Sequence, residues 1–401
     1  MKALLPVCLV VQLALLGACQ PPPAIMPGPA LGLPALPPAP RGADTAAAVE
    51  LGRKLFMDRR LSHNNTMSCA MCHIPEQGFT ATQLGTALGL EGRTLRRNAP
   101  TLLNVAYVQP LFHDGRAESL HLQAWDPLLN PIEMGNPDSS GLIDKLRRMP
   151  DYDGLFEAAF DGAQADRRTV GLALASYQRT LVAGNSRFDR WHYGKQAHAL
   201  TPQEQAGFKI FTGKGRCVAC HAIGKQHALF TDGRFHNTGV GLGPRAGSHR
   251  VRLAAGIDIE VTAQSLASVS EPLQADLGRY EVTRLPAHRY AYRTPGLRNV
   301  ALTAPYMHDG SLASLEDVVA FYQRGGIDNP ARDPLLRPLQ LGEQEKADLS
   351  AFLRSLTGDK IDALAAAARR GSGGHPLPPD TTATARRGEH DSPAGRKAMG
   401  P

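Results

Sequence analysis

Four of the six cysteines stand in two copies of one pentad, Cys69-Ala-Met-Cys72-His73 and Cys217-Val-Ala-Cys220-His221. Cys-x-x-Cys-His is the attachment signature of c-type haem. The two thiols add to the haem vinyl groups, and the adjacent histidine gives its nitrogen to the iron. A zinc pair or a redox dithiol are the alternatives, but a dithiol does not need the following histidine, and both copies carry it. The other two cysteines, Cys8 and Cys19, lie in and at the end of the apolar N-terminal run, so no structural disulfide is expected. Two covalent haems c are the cofactors expected.

The ends of the chain read differently from its body. Met1-Lys2 leads an apolar stretch to Leu16, too short to cross a bilayer and shaped like a signal peptide. Leu16-Gly17-Ala18-Cys19 looks like a bacterial lipoprotein box, so 1–18 is expected to be removed and Cys19 to carry lipid. Ordinary cleavage near Ala18 is the alternative, and either outcome exports the haem domains. Gln20, where an Asp would favour retention at the inner membrane, places the expected anchor in the outer membrane, facing the periplasm. Nine prolines within 21–40 suggest that 19–44 is an extended tether. The stretch 359–401 starts Ala-rich and continues in Gly, Pro, Thr and paired arginines, and is expected to be mostly a disordered tail.

The body repeats itself. Arg97-Asn98-Ala99-Pro100 through Ala106 resembles Tyr292-Arg293-Thr294-Pro295 through Ala301, and His113-Asp114-Gly115 faces His308-Asp309-Gly310 at the same offset. Gly52-x-Lys54-Leu55-Phe56 and Gly207-x-Lys209-Ile210-Phe211 precede the two pentads. The fold class expected is all-α, two cytochrome-c-like haem domains related by internal duplication. The first would span 45–195 and the second 196–358, with a Gly- and His-rich insert at about 222–290. Leu349, Phe352, Leu353 and Leu356 mark a closing helix over 343–357. A net charge of +7 on 401 residues, with long segments free of Lys/Arg clusters, argues against a nucleic-acid partner.

With both pentads, Arg97-Asn98-Ala99-Pro100, Phe112-His113-Asp114-Gly115-Arg116, Asn130-Pro131-Ile132-Glu133-Met134 and Pro305-Tyr306-Met307-His308-Asp309-Gly310, residues 45–357 resemble the bacterial di-haem cytochrome c peroxidases, including their MauG-like branch. The resemblance implies a peroxide-reacting haem in the first module and an electron-transfer haem in the second. Glu133 matches the distal acid, which moves a proton between the peroxide oxygens. Gln123 and Pro127 match positions lining the same pocket. Relatives that need reductive activation carry a blocking His before Arg-Asn-x-Pro; here that position is Leu90, so an open first haem is expected, with His63 the one histidine near enough to swing in. Tyr322 stands where conventional members place a Met ligand to the second haem, and Met307 is its competitor. The family usually has a Trp relay between Phe112 and Asp114; His113 replaces it, and neither Trp125 nor Trp191 matches the relay. Asn98, Thr303 and Pro305 match a calcium site. Arg93, Arg96 and Arg97 would neutralise haem propionates or dock an acidic donor.

The function expected is peroxide reduction, with electrons from a small periplasmic donor protein. Two other readings stand beside it: MauG-like oxidation of side chains on a partner protein, and a non-catalytic di-haem electron-transfer cytochrome. The partners expected are hydrogen peroxide, that donor or protein substrate, the membrane only through the lipid on Cys19, and a second copy of the chain, because related peroxidases are often dimeric.

Overall fold

The computed structural model describes residues 26–242, 248–254, 257–262 and 276–370. Residues 1–25, with the expected signal and Cys19, and 371–401 lie outside the described residues, so nothing structural is said of them. The helices are α1 (Ala46–Met57), α2 (Cys69–Cys72), α3 (Leu120–Gln123), α4 (Trp125–Leu129), α5 (Ser139–Arg147), α6 (Leu155–Ala159), α7 (Arg167–Arg179), α8 (Arg187–His192), α9 (Pro202–Thr212), α10 (Tyr280–Thr283), α11 (Leu315–Gln323), α12 (Glu343–Arg354) and α13 (Ile361–Arg369). Strand is scarce, so the chain is helix-rich rather than purely helical: β1 (Phe235–Asn237) pairs antiparallel with β4 (Ala291–Arg293), and β2 (Ser248–Ala254) with β3 (Ile257–Thr262). Both ribbons fall in or at the end of the insert. Among the described residues no helix is long and apolar enough to cross a membrane.

Each module is a helix pair around an apolar core. In the first, α1 crosses α7, with Leu51, Leu55, Phe56, Leu172 and Tyr177 buried between them. In the second, α9 crosses α12, burying Ile210, Phe211, Leu349, Phe352, Leu353 and Leu356, the four last being the expected closing face. Gly52 and Gly207 make both crossings close. A Cβ on Gly52 would stand 1.8 Å from the Ala173 carbonyl oxygen, and one on Gly207 2.0 Å from that of Asp348. Neither crossing could accommodate a larger residue without separating the helices. Capping boxes start α7 at Asp166, α9 at Thr201 and α11 at Ser314.

The segments between these helices match at an offset of 195 residues. Asn104 and Asn299 both adopt left-handed backbone, φ +63° and +61°, and open the turns Val105–Tyr107 and Val300–Leu302. Gln109-Pro110 and Ala304-Pro305 are both cis. The bridges Leu111–Ala117 and Tyr306–Leu312 follow, around Gly115 and Gly310 at φ +71° and +68°. Asn104 then bonds Ala183 beyond α7, and Asn299 accepts from the Gly358 amide beyond α12.

Both chain ends depart from expectation. From Ala30 on, the proline-rich stretch is a strap lying on both modules, not a free tether. Leu31 O accepts from Asn185 N (2.9 Å) and Gly32 O from Ala228 N (3.1 Å). Further along, Pro34 O accepts from Tyr107 Oη (3.1 Å) and Pro37 O from Arg179 Nη2 (2.7 Å). Extended, proline-rich backbone leaves its carbonyls unpaired, and here buried donors of the body take them. At Gly32, φ +82°, a Cβ would overlap Asp189, which forms a fully buried bidentate pair with Arg298 (2.8 Å on both arms). At the other end, the start of the expected tail is the helix α13, which returns to the first module. Ala365 and Ala368 are buried, Arg53 Nη1 donates to Ala368 O (3.1 Å), and Arg369 pairs with Glu76 (2.7 Å).

Candidate functional site

α2 is a single turn, which sets Cys69 and Cys72 on one side and ends at His73. The His73 Nδ1–H donates to Phe79 O (3.2 Å), leaving Nε2 as the ring's lone-pair nitrogen. The second module repeats the device, with His221 Nδ1 donating to Phe230 O (2.8 Å). Phe79 and Phe230 are both fully buried and both at positive φ, +57° and +55°. A bulky residue is strained there. The strain is what turns each carbonyl back onto its imidazole, and it fixes tautomer and ring direction as an outer partner does for a metal-bound histidine. Burial lowers the pKa of both histidines and pushes the Cys69, Cys72 and Cys217 thiols up to about 12 and Cys220 to about 11.

Glu133 lies on the loop after α4, near enough to the first pair of thiols for its charge to raise both of their pKa values. Asn130 builds that loop. Its carbonyl accepts from Glu133 N (3.0 Å) and Gly135 N (2.9 Å), its Oδ1 from Ile132 N (3.1 Å), and its Nδ2 donates to Glu133 Oε1 (2.7 Å). Burial raises the Glu133 pKa, opposed by the nearby Arg116 charge and by the Asn130 bond. Gln123, at the end of α3, and Pro127, within α4, are half-buried just upstream. Leu90 sits behind the loop: its amide bonds Ile132 O (3.0 Å) and its side chain packs on Gly135. His63 bonds Met134 O through its backbone (2.8 Å) while its ring is exposed. Beside the loop lies a cavity of about 300 Å³ lined by Arg116, Trp125, Asp126, Leu129, Asn130 and Arg167.

Tyr322, on α11, lies within electrostatic reach of the second pair of thiols. Burial, then the charges of Cys220 and Cys217, raise its pKa far above the usual phenol range. Met307, the competitor, has left-handed backbone (φ +73°) in the turn after the second cis proline.

His113 is half-buried, and its Nε2 bonds Asn98 O (3.0 Å). Burial, with Arg97 and Arg293 nearby, lowers its pKa to about 4, so it is neutral at pH 7. The second module grips this turn: Arg293 N donates to His113 O (2.8 Å) and Arg279 Nη1 to the carbonyls of Asp114 and Gly115 (2.8 Å each). Asn98 N in turn bonds His308 O (2.7 Å), so the Asn98 backbone links the two equivalent histidines. Its side-chain amide donates to Gly85 O (2.9 Å); Thr303 precedes the second cis peptide, Ala304-Pro305.

Two of the three arginines of the basic group are paired with acids of the insert. Arg97 binds Asp276 through Nε (2.6 Å) and Nη2 (2.7 Å) and Asp114 through Nη1 (2.7 Å), while Arg96 holds Glu281 (2.5 Å). Trp125 is buried in the first core with Nε1 on Arg167 O (2.9 Å).

Residues 46–197 match the family described as di-haem cytochrome c peroxidase. The methylamine utilization protein MauG of Methylorubrum extorquens is 36% identical over 316 residues, 79% of each chain. The chain belongs to the di-haem cytochrome c peroxidase family. Within it, the cytochrome-c peroxidase IdrP1 of Denitromonas iodatirespirans is 38% identical over 337 residues, 80% of this chain and 85% of that one. The diheme peroxidase BthA of Burkholderia thailandensis superposes with a TM-score of 0.64 at 29% identity, over 79% of this chain and 87% of its own. This peroxidase is therefore a di-haem oxidoreductase with the helix-rich fold of its relatives.

The residues present fit a haem at each pentad: paired unbridged thiols on one turn, and an imidazole held from behind with its second nitrogen left to ligate. Several contributors carry no motif. Phe79 and Phe230 act through their carbonyls, and Asn130, the first residue of the motif that holds Glu133, acts by building its loop. His236 sits between Asp333 (2.5 Å) and Asp232 (2.9 Å), close to Cys220. Burial works against its charge, and the two carboxylates override it to raise its pKa.

Proposed function

We propose that this peroxidase binds two covalent haems c, one through Cys69, Cys72 and His73 and one through Cys217, Cys220, His221 and Tyr322. We further propose that it reduces hydrogen peroxide at the first with electrons from a small donor protein. When bound, haem iron supplies peroxide O–O cleavage and the storage of oxidising equivalents. The chain's own residues supply the rest. Glu133 is the proton carrier: half-buried, it takes a proton from one peroxide oxygen and returns it to the leaving one. Asn130 fixes Glu133 Oε1, which leaves Oε2 to carry the proton. Leu90 offers no ligand atom and packs behind the loop, which supports a first haem open without prior reduction. The single observation carrying this reading is that Glu133, held by Asn130 on the loop after α4, lies near enough to Cys69 and Cys72 for its charge to act on both thiols.

A second reading, peroxide-driven oxidation of side chains on a partner protein, is favoured by one observation, the Tyr322 phenol beside Cys217 and Cys220. A phenolate donor stabilises oxidised iron. His113 at the relay position weighs against it, because a neutral imidazole bonded to Asn98 is hard to oxidise.

The two modules are read as an internal duplication, supported by the matched cis prolines, left-handed asparagines and glycine crossings. Export with lipid on Cys19 rests on Leu16-Gly17-Ala18-Cys19, and calcium on Asn98, Thr303 and Pro305. Stopped-flow absorbance of the fully oxidised protein with stoichiometric hydrogen peroxide tests the central reading. A rapid Soret change without prior reduction is expected. A reaction that needs one added electron would refute the open first site, and no reaction in either state would leave an electron-transfer cytochrome.

A further inference from the structure

The stretch 190–228 carries six basic side chains, Arg190, Lys195, Lys209, Lys214, Arg216 and Lys225, against one acid, Glu204. Glu204 is spent inside the module, capping α9 and binding Arg187. Lys214 pairs with Glu345, whereas Lys195, Lys209, Arg216 and Lys225 are exposed. Two contacts gather these separated lysines. Tyr193 Oη donates to Gly224 O (3.0 Å), which brings the loop bearing Lys195 to the segment bearing Lys225. Trp191 packs edge-on against Phe208 (5.1 Å), beside Lys209. Arg216 directly precedes Cys217. Exposed Lys195 and Lys225 are thus brought together beside a half-exposed Trp191 and Tyr193, with exposed Lys209 next to Phe208 and exposed Arg216 next to Cys217 in the chain.

A continuous packed path runs inward from Trp191. Trp191 touches Phe188 (6.4 Å), Phe188 touches Phe230 (5.2 Å), and Phe230 O holds His221 Nδ1 (2.8 Å). Aromatic side chains beside like charges are the composition of a steered, short-lived protein interface.

We propose that the face around Trp191 and Tyr193 docks a small acidic redox protein, which gives up one electron per encounter beside His221. This rests on the peroxidase reading above and names the partner's chemistry. Two encounters supply the two electrons that, with two protons, convert one hydrogen peroxide into two waters.

The test uses the holoprotein and two soluble c-type cytochromes of similar size, one acidic and one basic, with binding measured by calorimetry and electron transfer by stopped flow. The acidic cytochrome is expected to bind at least tenfold tighter at low ionic strength, and to lose that advantage as salt is raised. The pair Lys195→Glu and Lys225→Glu should weaken it at least tenfold, with haem spectrum and thermal transition reporting that the variant is folded. Equal binding of both cytochromes, or an unmoved affinity in the variant, would overturn the proposal. So would a variant that loses binding to anionic phospholipid vesicles while its cytochrome affinity is unchanged; the face would then belong to a membrane surface. Failure of the oxidised protein to react with peroxide would remove the peroxidase reading and leave the cytochrome affinity to be judged by itself.

Discussion

Glu133→Gln isolates proton transfer from binding and packing. The amide is isosteric, and its oxygen can still accept from Asn130 Nδ2, now at 2.7 Å from Glu133 Oε1, so the loop keeps its scaffold. What disappears is the only titrating atom of that side chain. A positioned acid–base group contributes about 10²–10⁴-fold, or roughly 3–5.5 kcal/mol of barrier. The second-order rate of the oxidised holoprotein with hydrogen peroxide, read by stopped flow, should fall by about that factor. The pH profile gives a second signature. Burial raises the Glu133 pKa, so the wild-type rate should decline as pH falls through a value above the ordinary carboxylate range, because the protonated acid cannot accept a proton. The variant should lack that limb. A variant rate within about threefold of wild type, or an acid limb that survives, would refute the role given to Glu133.

Four further outcomes follow from the same geometry. Asn130→Ala, which frees Glu133 Oε1 and removes an opposing hydrogen bond, should move the acid limb to higher pH and slow the peroxide reaction about tenfold, as the pH–rate profile will show. Tyr322→Met, with a thioether replacing a phenolate, should raise the potential of the second haem by on the order of 0.1–0.3 V in a spectroelectrochemical titration. Gly52→Ala and Gly207→Ala each drive a methyl into a helix carbonyl, and each should cost about 1–3 kcal/mol or more in denaturant unfolding. Acid should loosen the insert. Burial works against the Asp276 charge, but Arg97 overrides it and holds its pKa well below 3.8; the pair's contribution is therefore full above about pH 4 and lost as pH falls further. Limited proteolysis across pH 5 to 2 should open there, and Asp276→Asn should open at pH 7.

The haem sites were legible because their chemistry is local. A pentad is one helical turn, and the turn that puts two thiols and an imidazole together needs nothing from the rest of the chain. The α1 and α9 patterns were legible too, since Leu55-Phe56 and Ile210-Phe211 are apolar pairs on amphipathic helices. What escaped depends on partners far away in sequence. Pro34 and Pro37 spell a free polyproline segment until Tyr107 and Arg179 claim their carbonyls. An Ala-rich stretch at 361–369 promises a weak helix, and only Arg53 and Glu76, about 300 residues earlier, explain why it docks. Arg96 and Arg97 looked like an open basic patch because their acids, Asp276 and Glu281, stand within the insert, about 180 residues further along the chain. Phe79 and Phe230 could not be chosen from composition, because their contribution is a carbonyl turned by strained backbone.

The strap and α13 also set the smallest unit that can be handled as this protein. A fragment cut to the two haem modules, 45–358, would discard Gly32 O from Arg298 and Ala228, Asp44 from Arg179, and Ala368 from the first core. Each loss strips a partner from a buried group; Arg298 would keep its counter-charge in Asp189, but Arg179 would lose the carboxylate of Asp44, and a buried guanidinium without a counter-charge is among the costliest defects a fold can carry. Expression boundaries drawn from the haem motifs alone would thus yield a chain with every cofactor ligand in place and its two fastenings undone. For laboratory work the useful limits lie outside them, before residue 30 and after residue 369.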